Sequence, residues 1–127
     1  MTRFIFIIKP IFFLSVVVLT VASIVPVNML PPQSADVWDK AQHAFGFAWL
    51  AFLGLLSYPR RPTVVAVSLL AYGGAIELAQ AASGWRYGEW LDLTADGVGI
   101  LLGTLAWWLL RRMAQPATLK PQDRRAQ

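Results

Sequence analysis

The chain contains no cysteine. A disulfide framework, a thiolate metal site and a cysteine nucleophile are therefore excluded. Histidine occurs once, at His43, so no His-Glu-x-x-His zinc motif is possible. A glycine-rich phosphate loop, a dinucleotide fingerprint and a Ser-His-Asp signature are also missing. Charge is scarce: 14% of the 127 residues are charged and 57% are hydrophobic, with a mean hydropathy of +0.53. That is not the composition of an ordinary soluble domain. The net charge of +4 resides at the ends of apolar runs and forms no continuous patch with interleaved aromatics, which argues against nucleic acid as a partner.

What is present is a succession of long apolar runs. No charged residue lies between Lys9 and Asp36, and the run from about 10 to 27 is long enough for a membrane-spanning helix of about 20 residues. Arg3 and Lys9 before it, with Thr20-Val21-Ala22 inside it, also fit a secretory signal peptide. The run continues past Ala22, however, and the downstream chain is equally membrane-like. Pro26, Pro31 and Pro32 stop this segment, and 28–37 reads as a loop. Further spans are expected at about 41–58, 63–82 and 91–110, separated by the basic turn Pro59-Arg60-Arg61-Pro62 and closed by Arg111-Arg112.

The expected fold is all-α, a membrane-embedded antiparallel four-helix bundle made of two helical hairpins over residues 1–112. A polar, disordered cytoplasmic tail is expected over 113–127. Arg3, Lys9, Arg60, Arg61, Arg111, Arg112, Lys120, Arg124 and Arg125 fall on one side of four spans, and only Lys40 and Arg86 on the other. By the positive-inside rule both termini are cytoplasmic, in a bacterial cytoplasmic membrane. Trp38, Trp85 and Trp90 at the outer boundary, with Tyr58, Trp107 and Trp108 at the inner one, read as interfacial anchors.

Spans two to four are too short to cross unless they carry polar residues inward. Glu77 falls five residues inside the third, roughly 7 to 8 Å deep at 1.5 Å per residue. His43 lies one turn below Asp39, and Asp96 one turn below Asp92. Asp39, Lys40, His43, Glu77, Gln80, Arg86, Glu89, Asp92 and Asp96 thus gather at the outer end. Five carboxylates stand there against Lys40 and Arg86, three units negative with neutral His43. A charge near hydrocarbon takes a proton, pairs, or binds a cation.

Each of these outcomes assigns roles. Glu77 is the sharpest single residue, since an intramembrane carboxylate normally faces the bundle interior or a water-filled cavity. It is a candidate general acid/base with His43, whose ring Asp39 would orient, or else one half of a structural ion pair with Lys40 or Arg86. Asp92 also suits the positive end of a helix dipole. Arg86 would clamp an anionic head group through its planar fork, or neutralise the acids. His43, Glu77, Asp92 and Asp96 offer nitrogen and oxygen donors to zinc or manganese, and the acids alone could hold calcium or magnesium, yet no diagnostic metal spacing is present, so no metal and no cofactor is assigned. Ala71, Ala75 and Ala79, and Ala95, Gly99 and Gly103, have the spacing that lets helices approach closely, within the chain or between copies. The match of Asp39-x-x-x-His43-x-x-Gly46 with Asp92-x-x-x-Asp96-x-x-Gly99 hints at two hairpins related by an in-plane repeat, as in some transporters.

Taken in order, Asp39, Lys40 and His43, then Glu77 and Gln80, then Arg86, then Asp92, Asp96, Gly99 and Gly103 resemble the VanZ-like family of small bacterial membrane proteins. The resemblance covers about 39–108. Asp96 stands where the family commonly has Asn. The resemblance implies a cell-envelope role related to glycopeptide antibiotic resistance, without an established activity. The leading expectation is an outward polar pocket, comprising Asp39, Lys40, His43, Glu77, Gln80, Arg86, Asp92 and Asp96, that binds an envelope lipid, a glycan-lipid head group or a glycopeptide-related ligand. The alternative is an acid/base or metal-dependent hydrolase or transferase on such a lipid. A proton or cation transporter is disfavoured, because no acidic or basic residue lies between Asp96 and Arg111 or between Arg61 and Glu77. A structural partner protein whose polar cluster serves only as helix glue is a further alternative.

Overall fold

Helix boundaries in this chain follow from proline, glycine and charge. The computed structural model describes residues 2–25, 36–84 and 89–115, with their side chains over 6–25, 40–84 and 89–115. Four helices result: α1 (Thr2–Ile24), α2 (Asp36–Ser57), α3 (Pro62–Ser83) and α4 (Trp90–Met113). Pro62 opens α3 at a position where its missing N–H costs nothing. Gly84 closes it in the left-handed conformation, φ 79°, which a glycine adopts without strain. Asp92 in the first turn of α4 and Arg111 and Arg112 in its last turn complement the helix dipole at both ends. No strand occurs among the described residues, and the all-α four-helix bundle stands. The expected loop lies outside the described residues over 28–35, and its last two positions are corrected, since Asp36 and Val37 already belong to α2. Residues 116–127 of the expected tail also lie outside.

Three helices, Phe6–Ile24, Pro62–Ser83 and Trp90–Met113, are long and apolar enough to cross a membrane. Their outward faces are apolar as well. Val17, Val18 and Val21 on α1, Leu78 on α3, and Leu101, Leu102 and Leu105 on α4 are all exposed, an area of hydrocarbon that a soluble monomer does not present to water. This is a membrane protein. α2 does not reach the same mark, because Asp36, Asp39, Lys40, Gln42 and His43 occupy its first turns. It forms the centre of the bundle instead: Phe47, Leu50, Ala51 and Leu55 are buried, packed with Val65, Leu69 and Ile76 of α3 and Ile100 and Trp107 of α4.

The contact register gives the helix directions. Phe12 meets Gly54, and Leu19 meets Gly46, so α1 and α2 are antiparallel. Lys9 stands over the Tyr58 ring, 4.9 Å from its centroid, at the basic end. α2 and α4 form the closest pair, and they run in the same direction: His43 faces Asp96, Gly99 lies against the Ala44 carbonyl and Gly103 against that of Ala48. Both glycines are required, because a Cβ at either would enter a backbone carbonyl.

Three expectations are corrected here. The segments that echo one another, on α2 and α4, lie side by side and parallel, so any relation between them follows the bundle axis rather than the membrane plane. Ala71, Ala75 and Ala79 are exposed, because α3 turns Leu69, Gly73, Ile76 and Gln80 inward. The alanine stripe is two residues out of step with that face. Trp107 is buried in the core with the Arg111 guanidinium 4.9 Å above its ring. Trp108 is the exposed one of the pair, beneath Arg112.

Candidate functional site

The ends of α2, α3 and α4 that lie away from the basic turn carry the polar residues. Helical spacing sets Lys40 and His43 on one face of α2, Glu77 and Gln80 on one face of α3, and Asp92 and Asp96 on one face of α4. All three faces point into the bundle. His43, Glu77, Gln80, Asp92 and Asp96 are buried, in a chain whose exposed surface is largely hydrocarbon.

Two layers can be distinguished. In the outer layer the Lys40 ammonium donates to Glu89 Oε2 at 3.1 Å and lies 3.8 Å from Asp92 Oδ1. Glu89 is the residue before α4, and its backbone N–H donates to Glu77 Oε2 at 2.8 Å. Glu77 thereby ties the end of α3 to the start of α4. In the inner layer His43 Nδ1 and Asp96 Oδ1 are 3.0 Å apart. Asp96 is fully buried, at 0% exposure, and its second oxygen, Oδ2, turns toward Gly73, where a Cβ would collide with it. Ligand atoms of His43, Glu77 and Asp96 all lie within 4.8 Å of one another.

Gln80 takes a different part. Its side-chain amide donates to the Ser23 carbonyl in the last turn of α1 at 3.0 Å. This bond fastens the end of α1 to α3. A second polar tie lies deeper: the Tyr72 hydroxyl donates to the Val16 carbonyl at 3.1 Å and lies 2.7 Å from Thr20 Oγ1. Arg86 and the Asp39 side chain, both expected at the site, lie outside the described residues.

Sequence reasoning did not single out Gly73 or the backbone of Glu89. Gly73 had a signal, being one helical turn before Glu77 and followed by a second glycine in an otherwise bulky segment. The main-chain donor of Glu89 had none, since a backbone contact leaves no mark in composition.

The described cluster comprises Glu77, Glu89, Asp92 and Asp96 against Lys40, with His43 between them. It is acidic, and its acids lie in an apolar bundle where an uncompensated charge costs several kcal/mol. Such a set can orient a histidine ring, hold a cation or accept hydrogen bonds from hydroxyl groups. Two grooves of about 300 and 340 Å³ run beside α1. They are mostly apolar, and none of the cluster residues lines either. Comparison with protein-family models, with curated proteins and with solved structures finds no match.

Proposed function

We propose that the chain is a multi-pass protein of the bacterial cytoplasmic membrane that binds the polar head group of an envelope lipid or glycan-lipid at the outward end of its bundle. The VanZ-like resemblance points the same way. The observation that supports it is the convergence of Lys40, His43, Glu77, Asp92 and Asp96 from three helices at one end of an apolar bundle, the depth at which head groups meet hydrocarbon. Carboxylates and a histidine suit a head group rich in hydroxyls, each of which donates a hydrogen bond.

Native mass spectrometry of the purified protein, incubated with a bacterial membrane lipid extract, tests this. The wild-type chain is expected to retain a glycosylated envelope lipid that Glu77→Ala and Asp92→Ala release. A wild-type chain that retains only bulk phospholipid overturns the reading.

A second reading, that the site performs acid/base chemistry on such a lipid, is favoured by the His43–Asp96 pair. A carboxylate 3.0 Å from Nδ1 fixes the orientation of the ring, as a histidine acting as general acid or base requires. Turnover of a glycan-lipid that His43→Gln abolishes when compared at equal lipid occupancy would support it, and turnover unchanged in that variant would remove it.

A further inference from the structure

We infer that His43, Glu77 and Asp96 form a binding site for a divalent transition-metal ion of the zinc or manganese class, buried where α2, α3 and α4 meet. The inference shares His43, Glu77 and Asp96 with the head-group reading but does not depend on it, since an ion can be held there whether or not a lipid binds above it.

Three independent features carry it. The first is distance. His43 Nδ1 and Asp96 Oδ1 are 3.0 Å apart, and the whole set of ligand atoms lies within 4.8 Å. Two ligands on a tetrahedral ion with bonds of about 2.1 Å are about 3.4 Å apart. The histidine and aspartate are already near that spacing, and Glu77, with three side-chain torsions, closes the remainder.

The second is the state of the oxygens. Glu77 and Asp96 are more than nine-tenths buried, at 8% and 0% exposure. Among the described residues, Glu77 Oε1 and Asp96 Oδ2 have no hydrogen-bond partner. A buried carboxylate oxygen without a donor is costly, and in a membrane interior no bulk water relieves it. A divalent ion satisfies both carboxylates and offsets their two charges at once.

The third is the notch at Gly73. Any side chain at that position would strike Asp96 Oδ2, so α3 leaves room for the carboxylate one turn from Glu77. The metal class follows from the donors. One imidazole with two carboxylates suits zinc, manganese or ferrous iron, whereas magnesium and calcium prefer oxygen alone. Three protein ligands leave at least one coordination position for water or another ligand.

The test uses the full chain without an affinity tag, purified in detergent and stripped by a chelator. Titration with Mn²⁺, and separately with Zn²⁺, is expected to load a single ion. Glu77→Gln and Asp96→Asn are each expected to weaken binding at least about tenfold, while Thr104→Val, about two turns further along α4 and bonded only to the Ile100 carbonyl, leaves it unchanged. Because His43 is the only histidine, nitrogen coupling in the electron spin echo of bound Mn²⁺ reports the site in the wild-type chain alone, even if the variants fail to fold. A wild-type chain that takes up no ion in stoichiometric amount, or bound Mn²⁺ without imidazole coupling, overturns the inference, as does Glu77→Gln binding with wild-type affinity. Lipid retained by the same preparations is measured separately, so failure here is distinct from failure of the head-group reading.

Discussion

His43 of α2 and Asp96 of α4 meet at 3.0 Å, Nδ1 to Oδ1, in the closest helix pair of the bundle, and neither side chain is more than 8% exposed. A contact between a potential anion and an imidazole in so apolar a setting couples the two helices as well as serving any chemistry. Replacing one partner leaves the other buried without it. His43→Leu and Asp96→Leu are each expected to lose about 2 to 3 kcal/mol of stability. The double variant should lose clearly less than the sum, because neither polar group is then stranded. Unfolding in detergent, followed for all four combinations, measures this, and additive losses would show that the pair is not coupled.

The glycines separate into two groups that look alike in the sequence. Gly99 and Gly103 lie against the carbonyls of Ala44 and Ala48, and Gly74 has nothing within 4 Å of the position its Cβ would take. Gly99→Ala and Gly103→Ala must push two backbones apart, at about 1 to 3 kcal/mol each. Gly74→Ala meets no obstacle and gains about 0.5 to 1 kcal/mol from helix propensity. Thermal stability of the three variants in one detergent should therefore move in opposite directions. A loss at Gly74 equal to that at Gly99 would mean that the α2–α4 contact is not the reason for the glycines.

Gly73 makes a more selective test of the site. A methyl group there collides with the Asp96 carboxylate and also lies 3.2 Å from Phe47 Cζ. Gly73→Ala alone should be destabilising by about 1 to 3 kcal/mol. Made on an Asp96→Ala background, where the obstructing carboxylate is gone, the same change should cost little. Equal losses on both backgrounds would place the strain at Phe47 and remove Gly73 from the account of the site.

How much of this was legible in the sequence depends on which physical signal each feature leaves. The helices were, since proline, glycine and basic clusters bound them. So was the meeting of His43, Glu77 and Asp96, because an ionisable residue in a membrane helix has one energetically reasonable direction, inward. The Gly99–Gly103 face was read for the same kind of reason. The alanine stripe of α3 does not pack within the chain, and the sequence did not show this because lipid and core are equally apolar, so a hydrophobic helix does not reveal which of its faces is inside. The parallel contact of α2 with α4 is a matter of tertiary arrangement, which short loops do not dictate. Gln80 had the polarity of a site residue, yet its amide bonds to the last turn of α1.

Membrane topology is the remaining expectation that a single measurement can decide, and the absence of cysteine makes the measurement clean. Lys40 at the start of α2 bonds to Glu89 at the start of α4, and Lys9 near the start of α1 stacks on Tyr58 at the end of α2. Lys40 and Tyr58 are 18 residues apart, about 27 Å at 1.5 Å per residue, close to the hydrocarbon thickness of about 30 Å. α2 should therefore cross with the others even though its own composition is less apolar, because Lys40 is paired with Glu89 and Asp92, and His43 is buried against Asp96. With the basic residues inside, Ala41→Cys and Glu89→Cys are expected to react with a membrane-impermeant thiol reagent in intact cells. Arg60→Cys and Gln115→Cys should react only after permeabilisation. Labelling of Ala41→Cys and Arg60→Cys from the same side would show that α2 does not cross, and the reverse pattern at all four positions would invert the orientation and move the acidic end of the bundle to the cytoplasm.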